Sequence, residues 1–259
     1  MGSPKIHFNI NNLSFNKIIV LVLLLSASIN AQQIQRTEPP FWYAGMHNPE
    51  LQIMFYGKNI AQNEISVSNG IVINNIQRTE NPNYVFVTID TKNIPASELV
   101  FSFSKNKKVA FTKKYSLKQR RENSAQRKSF DSSDMMYLLM PDRFANGNPN
   151  NDSDKLVTEK ADKPLPNGRH GGDIDGIIKN LDYLEKLGVT ALWTTPLCED
   201  NDAVNSYHGY AQSDVYKIDP RYGTNEDYVR LSAELKKRNM KLVKDYVTNH
   251  WGAEHWMYK

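Results

Sequence analysis

Ser206-Tyr207-His208-Gly209-Tyr210 opens the stretch whose reading decides the fold, and Lys244-Asp245-Tyr246-Val247-Thr248-Asn249-His250 closes it. Between them lie a turn signal, a helical pattern and a short apolar run. Each end sets polar and aromatic side chains just after an expected strand, where an α/β barrel gathers its active site. Such a surface suits a sugar, with aromatic faces for its C–H side and fixed hydrogen-bonding groups for its hydroxyls.

Working outward, the flanking segments repeat one pattern. Met135-Met136-Tyr137-Leu138-Leu139-Met140 is a continuous apolar run, as expected of a strand buried on both faces. Ile174, Ile177, Ile178, Leu181, Leu184 and Leu187 fall on one face of a helix, which Gly188 should stop. Val189 to Trp193 is the next apolar run. Thr224-Asn225-Glu226-Asp227 resembles a capping box, with Tyr228, Leu231 and Leu235 along one side of the helix behind it. Lys241 to Val247 supplies a third strand. Strand, helix, strand, helix, strand starts a parallel α/β domain. Three strands do not close a barrel, so residues 135–259 read as an incomplete α/β (TIM-type) barrel with its first three strands only.

Before it the texture is different. Leu51 to Phe55, Tyr84 to Ile89 and Leu99 to Phe103 are short runs rich in β-branched and aromatic residues, separated by turn signals such as Asn69-Gly70 and Asn81-Pro82-Asn83. They predict an immunoglobulin-like antiparallel β-sandwich over residues 32–117. Residues 118–134, almost without apolar side chains, read as a linker. Phe41, Trp42 and Tyr43 read as packing residues rather than as a sugar-stacking surface.

At the N-terminus, Lys5 and Lys17 precede the apolar run Ile18 to Leu25, and small residues follow up to Ala31. This is the layout of a signal peptide, residues 1–31, too short to span a bilayer comfortably. The expected protein is exported, to the periplasm or beyond, with no membrane span. Ile6 stands where myristoylation wants Ser or Thr. A formal net charge of +4 decides little, although Lys105 to Lys128 carries ten Lys or Arg against one acid, Glu122. No nucleic-acid motif accompanies that run, and it reads as a solvated strand edge and linker. A single cysteine, Cys198, excludes an intrachain disulfide framework and a multi-cysteine zinc site.

Asn146, Asn148, Asn150, Asn151, Asp152 and Asp154 crowd nine positions with oxygen donors of the kind that calcium takes. An ordinary polar loop has the same composition. A helix–loop–helix calcium site with Glu159 in twelfth place fails, because Ser153 occupies the glycine position and no helix leads in. His250, Glu254 and His255 are spaced one residue too widely for the helical zinc-protease pattern.

Met140-Pro141-Asp142-Arg143-Phe144-Ala145-Asn146-Gly147-Asn148-Pro149, His170-Gly171-Gly172-Asp173, Tyr207-His208-Gly209-Tyr210 and Asp245 to His250 together resemble successive signatures of the α-amylase family. The likeness is to the exported neopullulanase and cyclomaltodextrinase-like enzymes of bacterial starch utilisation. Ala44 to Gln52 resembles the start of their N-terminal sandwich. The resemblance implies that Tyr210 stacks on a glucose ring, that His250 hydrogen-bonds the same sugar and that His208 lies in the pocket wall. It makes Asp245 a structural carboxylate near the catalytic centre. It maps a calcium loop onto Asn146, Asn148, Asn151 and Asp152, completed by the Gly171 carbonyl and Asp173. Asn148 stands where relatives often carry Asp.

Family members are retaining glycosidases with two carboxylates about 5 Å apart. By resemblance these carboxylates and a third one follow the fourth, fifth and seventh barrel strands. None therefore falls within this sequence, which reads as the front part of an α-glucan hydrolase, inactive by itself. The alternative is a non-catalytic α-glucan-binding protein. The expected partner is an α-glucan oligosaccharide, not a nucleic acid. Homodimerisation of the full-length protein stays open, as does α-1,4 against α-1,6 preference.

Overall fold

The structure, a computed structural model, describes residues 34–68 and 70–258. The expected signal peptide lies outside these residues. The chain divides between Gln126 and Arg127 into two compact units.

In the first unit, β1 (Arg36–Glu38), β3 (Glu50–Tyr56), β6 (Tyr84–Asp90) and β5 (Ile73–Arg78) form an antiparallel sheet in the order β1-β3-β6-β5. A second sheet runs β2 (Trp42–Tyr43), β8 (Lys108–Lys118), β7 (Ser97–Lys105), β4 (Glu64–Val67). Side chains alternate across a strand, so Leu51, Ile53 and Phe55 of β3 share one face with their partners Ile89, Val87 and Val85 of β6. That face meets Leu99, Phe101 and Phe103 of β7 and Tyr115 and Leu117 of β8 in a single core. Phe55 joins the sheets, its ring 5.0 Å from Phe101 and 5.4 Å from Phe103. Each such fully buried side chain contributes about 1.5–3 kcal/mol. The Lys-rich run splits: its first half is β8, with Phe111, Tyr115 and Leu117 turned inward, and a 3-10 turn at Ser124–Gln126 follows. Trp42 packs against the core, whereas Tyr43 is exposed.

The second unit is built on β9 (Met136–Leu139), β10 (Ala191–Thr194) and β13 (Lys241–Lys244), all parallel, with β10 in the centre. The connections carry α1 (Pro141–Phe144), α2 (Ile174–Lys179), α3 (Leu181–Lys186) and α4 (Asn225–Lys237). A short antiparallel pair, β11 (Cys198–Glu199) and β12 (Asp214–Ile218), rises from the β10 exit. Leu139 and Leu192 meet Ile174, Ile177, Leu181, Leu184, Leu231 and Leu235 in a second core. A β-sandwich followed by the first three strands of an α/β barrel is therefore the architecture. Among the described residues no helix is long and apolar enough to cross a membrane.

Three local expectations are corrected. β9 is not buried on both faces: Met136 is 37% and Leu138 55% exposed, because the helices cover only one side of this three-stranded sheet. The helix expected from Ile174 to Leu187 is interrupted at Asn180, whose side-chain amide donates to the Gly176 carbonyl at 2.8 Å. Side-chain bonds of this type compete with the helical ladder. The third strand ends at Lys244, three residues earlier than expected. The capping box does form: Asp227 N–H donates to Thr224 Oγ1 at 3.2 Å and Thr224 N–H to Asp227 Oδ2 at 2.9 Å. Asp134, expected in the linker, accepts from Lys241 and from Thr190 Oγ1 and so is tied to β13 and β10.

Candidate functional site

The C-terminal ends of β10 and β13 bring four side chains together. Asp245 follows β13 directly, and its Oδ2 accepts from the Tyr210 hydroxyl at 3.2 Å and from the Trp193 indole at 3.1 Å. Burial, with the Asp245 carboxylate beside it, raises the Tyr210 phenol above its usual range. His250 Nε2 donates to the Tyr210 carbonyl at 3.1 Å, while Asn249 Nδ2 donates to His250 Nδ1 at 3.0 Å. The carbonyl can only accept, so the hydrogen of that contact sits on Nε2. Tyr210 is 39% exposed, so its ring offers a face to a ligand.

His208 lies in the same loop. Its Nδ1 accepts the Tyr210 backbone N–H at 3.0 Å, which again leaves the proton on Nε2. Burial lowers its pKa, against the pull of Asp202 and Glu159. The loop turns through a 3-10 segment, Ser206–His208, and leaves it at Gly209 with φ +77. A Cβ at 209 would stand 2.1 Å from the Pro196 carbonyl oxygen, so only glycine fits both the angle and the space. Tyr207 carries the Arg143 guanidinium 4.0 Å from its ring centre, and its carbonyl accepts the Tyr222 hydroxyl at 2.7 Å.

Beneath this loop is a buried polar network. Arg221 donates Nε and Nη2 to Asp219 at 2.9 and 2.7 Å, and gives Nη1 to the Glu159 carbonyl at 2.7 Å. Burial alone would raise Asp219, but the Arg221 bonds and the Arg169 charge hold it below the usual carboxylate range. Asp200 is fully buried and accepts the Asp202 and Ala211 N–H groups at 3.2 and 3.1 Å. Burial pushes its pKa up to about 7.

Five of the six candidate calcium residues fall into two groups, and Asn151 stands beside them. Asn146 Nδ2 donates to Asp152 Oδ1 at 2.7 Å, and the Asp152 carboxylate lies close against Gly171, which has φ +86. Asn148 and Asp173 form the other group, but Asp173 is engaged already. Its carboxylate accepts the backbone N–H groups of Gly147, Asn148 and Gly176 at 3.0, 2.8 and 2.6 Å, the last as the N-cap of α2. Asn151 Oδ1 is buried without a hydrogen-bond partner, an oxygen of the kind a hard cation takes. Among the described residues no cluster of three or more His, Cys, Asp or Glu could hold a metal, so any cation here would lean on amide and carbonyl oxygens. His250, Glu254 and His255, set aside for zinc by their spacing, likewise form no such cluster. A cavity of about 220 Å³ opens beside Asn148, Asn151 and Asp154 and reaches Tyr222 and Asp227.

Sequence reasoning missed Trp193, Asp200 and Ser206. Each acts through partners distant in the chain, such as Trp193 on Asp245, and no local pattern marks them.

The comparisons with known proteins divide as the two units do. The family profile for the cyclomaltodextrinase N-terminal domain matches residues 36–121, and that for the alpha-amylase catalytic domain matches residues 138–259. Neopullulanase 2 of Thermoactinomyces vulgaris is 38% identical over 126 residues, 48% of this chain and 21% of its own length. An alpha-amylase of Saccharomycopsis fibuligera is 39% identical over 47% of this chain and 24% of its own. A cyclomaltodextrinase from Bacillus sp is 35% identical over 46% of this chain and 20% of its own. Among solved structures, an Anoxybacillus alpha-amylase is 42% identical over 48% of this chain and 25% of its own, with a TM-score of 0.43. The match thus spans between a fifth and a quarter of the length of these three relatives. Each compact unit thus has its own match, the first unit to a cyclomaltodextrinase N-terminal domain and the second to an alpha-amylase catalytic domain.

Proposed function

We propose that Tyr210, His250, His208 and Asp245 form the wall of a subsite that grips one glucose unit of an α-glucan oligosaccharide, in an enzyme that hydrolyses α-glucosidic linkages with retention. The observation that carries the reading is the shared Asp245 carboxylate, which holds the Tyr210 ring and the Trp193 indole at the mouth of the parallel strands. Tyr210 offers a face to the sugar's C–H side, His208 Nε2–H is the donor to its hydroxyls, and His250, with both ring nitrogens engaged, holds the Tyr210 backbone in the same wall. Asp245 is a brace in this scheme, not a nucleophile, because its Oδ2 already accepts two hydrogen bonds. The names of the relatives, a neopullulanase and a cyclomaltodextrinase among them, support an α-glucan as substrate.

Calcium is part of the proposal as a structural ion. Asn146, Asn148, Asn151, Asp152, Asp173 and the Gly171 carbonyl would hold it, with Asn151 Oδ1 supplying the oxygen that now lacks a partner. When bound it would neutralise carboxylate charge and fix the loop after β9. The leader-like residues 1–31 support export to the periplasm or the exterior.

The test is a titration of the 259-residue chain with maltotriose, read by tryptophan fluorescence, with cellotriose as the β-linked control. Maltotriose should bind and Tyr210→Ala should weaken it at least about tenfold, about 1.4 kcal/mol. Equal binding of both sugars, or an unaffected Tyr210→Ala, defeats the reading. The same chain should release no reducing sugar from maltodextrin. Detectable release would show that a group within these residues breaks the bond.

A further inference from the structure

We infer that Glu159 is a positioning residue for the sugar-gripping loop: its carboxylate holds Ser206 and thereby sets the turn that carries His208 and Tyr210. The inference rests on the subsite proposed above, and gives a role to a glutamate that fits no metal site.

Glu159 lies in the connection after β9, 47 residues before Ser206, yet it accepts both hydrogen bonds that Ser206 donates. Its Oε2 accepts the Ser206 N–H at 2.7 Å and the Ser206 hydroxyl at 2.6 Å, and its Oε1 accepts the Asn205 N–H at 3.1 Å. Two successive backbone N–H groups and a hydroxyl on one carboxylate make a small anion-binding concavity, here filled from within the chain. The other side of Ser206 is held by Arg169, whose Nη1 donates to the Ser206 carbonyl at 3.1 Å and to Oγ at 3.2 Å. Ser206 is fully buried between them. A further stitch, Thr158 N–H to Asn201 Oδ1 at 2.7 Å, ties the same two connections together.

The consequence reaches Tyr210 over a short path. Asn205 is left-handed, with φ +63, so the chain enters the turn in a conformation that needs outside support. From Ser206 the turn passes through His208 to Gly209, and His208 Nδ1 then accepts the Tyr210 N–H. A shift at Ser206 therefore moves the histidine acceptor and the tyrosine ring as one piece. Loops gain such precision from side-chain bonds because they have no ladder of their own.

The experiment compares the 259-residue chain with Glu159→Ala, Glu159→Gln and Ser206→Ala. Three quantities are measured: the His208 ring-nitrogen shifts at neutral pH, maltotriose affinity, and the urea midpoint. In the parent His208 should show one protonated Nε2 and one acceptor Nδ1. Glu159→Ala should average the two nitrogens and weaken maltotriose at least about tenfold. Glu159→Gln keeps one acceptor oxygen for the Ser206 N–H and should restore most of both signals, a rescue that a loss of packing would not show. Unchanged His208 shifts in Glu159→Ala overturn the inference. So does a Glu159→Gln variant as damaged as Glu159→Ala. If Glu159→Ala fails to fold, unchanged His208 shifts in Ser206→Ala, which loses the hydroxyl bond to Glu159, overturn it. A parent that binds no maltotriose defeats the subsite reading alone, since the His208 shifts still decide whether Glu159 sets the turn.

Discussion

The two units bury different chemistry. Among the described residues, every buried Asp or Arg, namely Asp142, Arg169, Asp173, Asp200, Asp214, Asp219 and Arg221, belongs to the α/β unit, and the sandwich buries none. In the sandwich, strand pairing satisfies the backbone and apolar side chains fill the space between sheets. The α/β unit must also hold long connections over the ends of three short strands, where few backbone partners exist. Buried charges do that work: Asp142 accepts His170 and Gly171 N–H groups, and Asp173 accepts three more. One unit is stabilised by packing, and the other is in large part specified by hydrogen bonds to its loops.

The largest expected effect tests this contrast directly. Arg221→Met should strand the buried Asp219 carboxylate and cost about 3–5 kcal/mol. The loss should appear in amide exchange of the α/β unit, with the sandwich protected as before. Phe101→Ala should cost about 3–5 kcal/mol in the opposite pattern. Either variant loosening both units equally would erase the distinction.

Next comes a pH effect. Folding raises Asp200 from 3.8 to about 7, so the native state prefers its protonated form. Stability from this group is intact below about pH 4, declines as pH rises toward 7 and stays low above it. Asp200→Asn should remove that decline, a gain on the order of 3 kcal/mol at pH 8 that vanishes near pH 4. Chemical denaturation of both proteins at several pH values checks it, and a variant that loses stability at pH 8 contradicts it. The smallest effect is local: Thr224→Ala breaks the capping box of α4 and should lower stability by about 1 kcal/mol, confined to that helix and its neighbours in exchange measurements.

The sandwich was legible where its strands alternate cleanly, as in Leu51-Gln52-Ile53-Met54-Phe55. β5 escaped notice because Ile73-Asn74-Asn75-Ile76 breaks the alternation, and its pairing with β6 slips at that point. In β8 the lysines mask an inward row of Phe111, Tyr115 and Leu117. The parallel strands were legible in kind, but not the exposure of Leu138, since a continuous apolar run says nothing about whether both faces are covered. At the candidate site, Tyr210, His250 and Asp245 stand out by the order of their motifs. Glu159, Asp200 and Trp193 do not, because each has a bond to a residue between 11 and 52 positions away.

Gly209 has a consequence for how this chain tolerates change. The Pro196 carbonyl closes off the space where any side chain would begin, and the backbone is already left-handed there. In a saturation library, position 209 should accept one residue of twenty, while its neighbour Tyr210, open to solvent, should accept several without loss of folding. A scan scored for folding and a second scored for maltodextrin binding would therefore agree at 209 and part at 210. That divergence would separate a residue that shapes the loop from one proposed to meet the sugar.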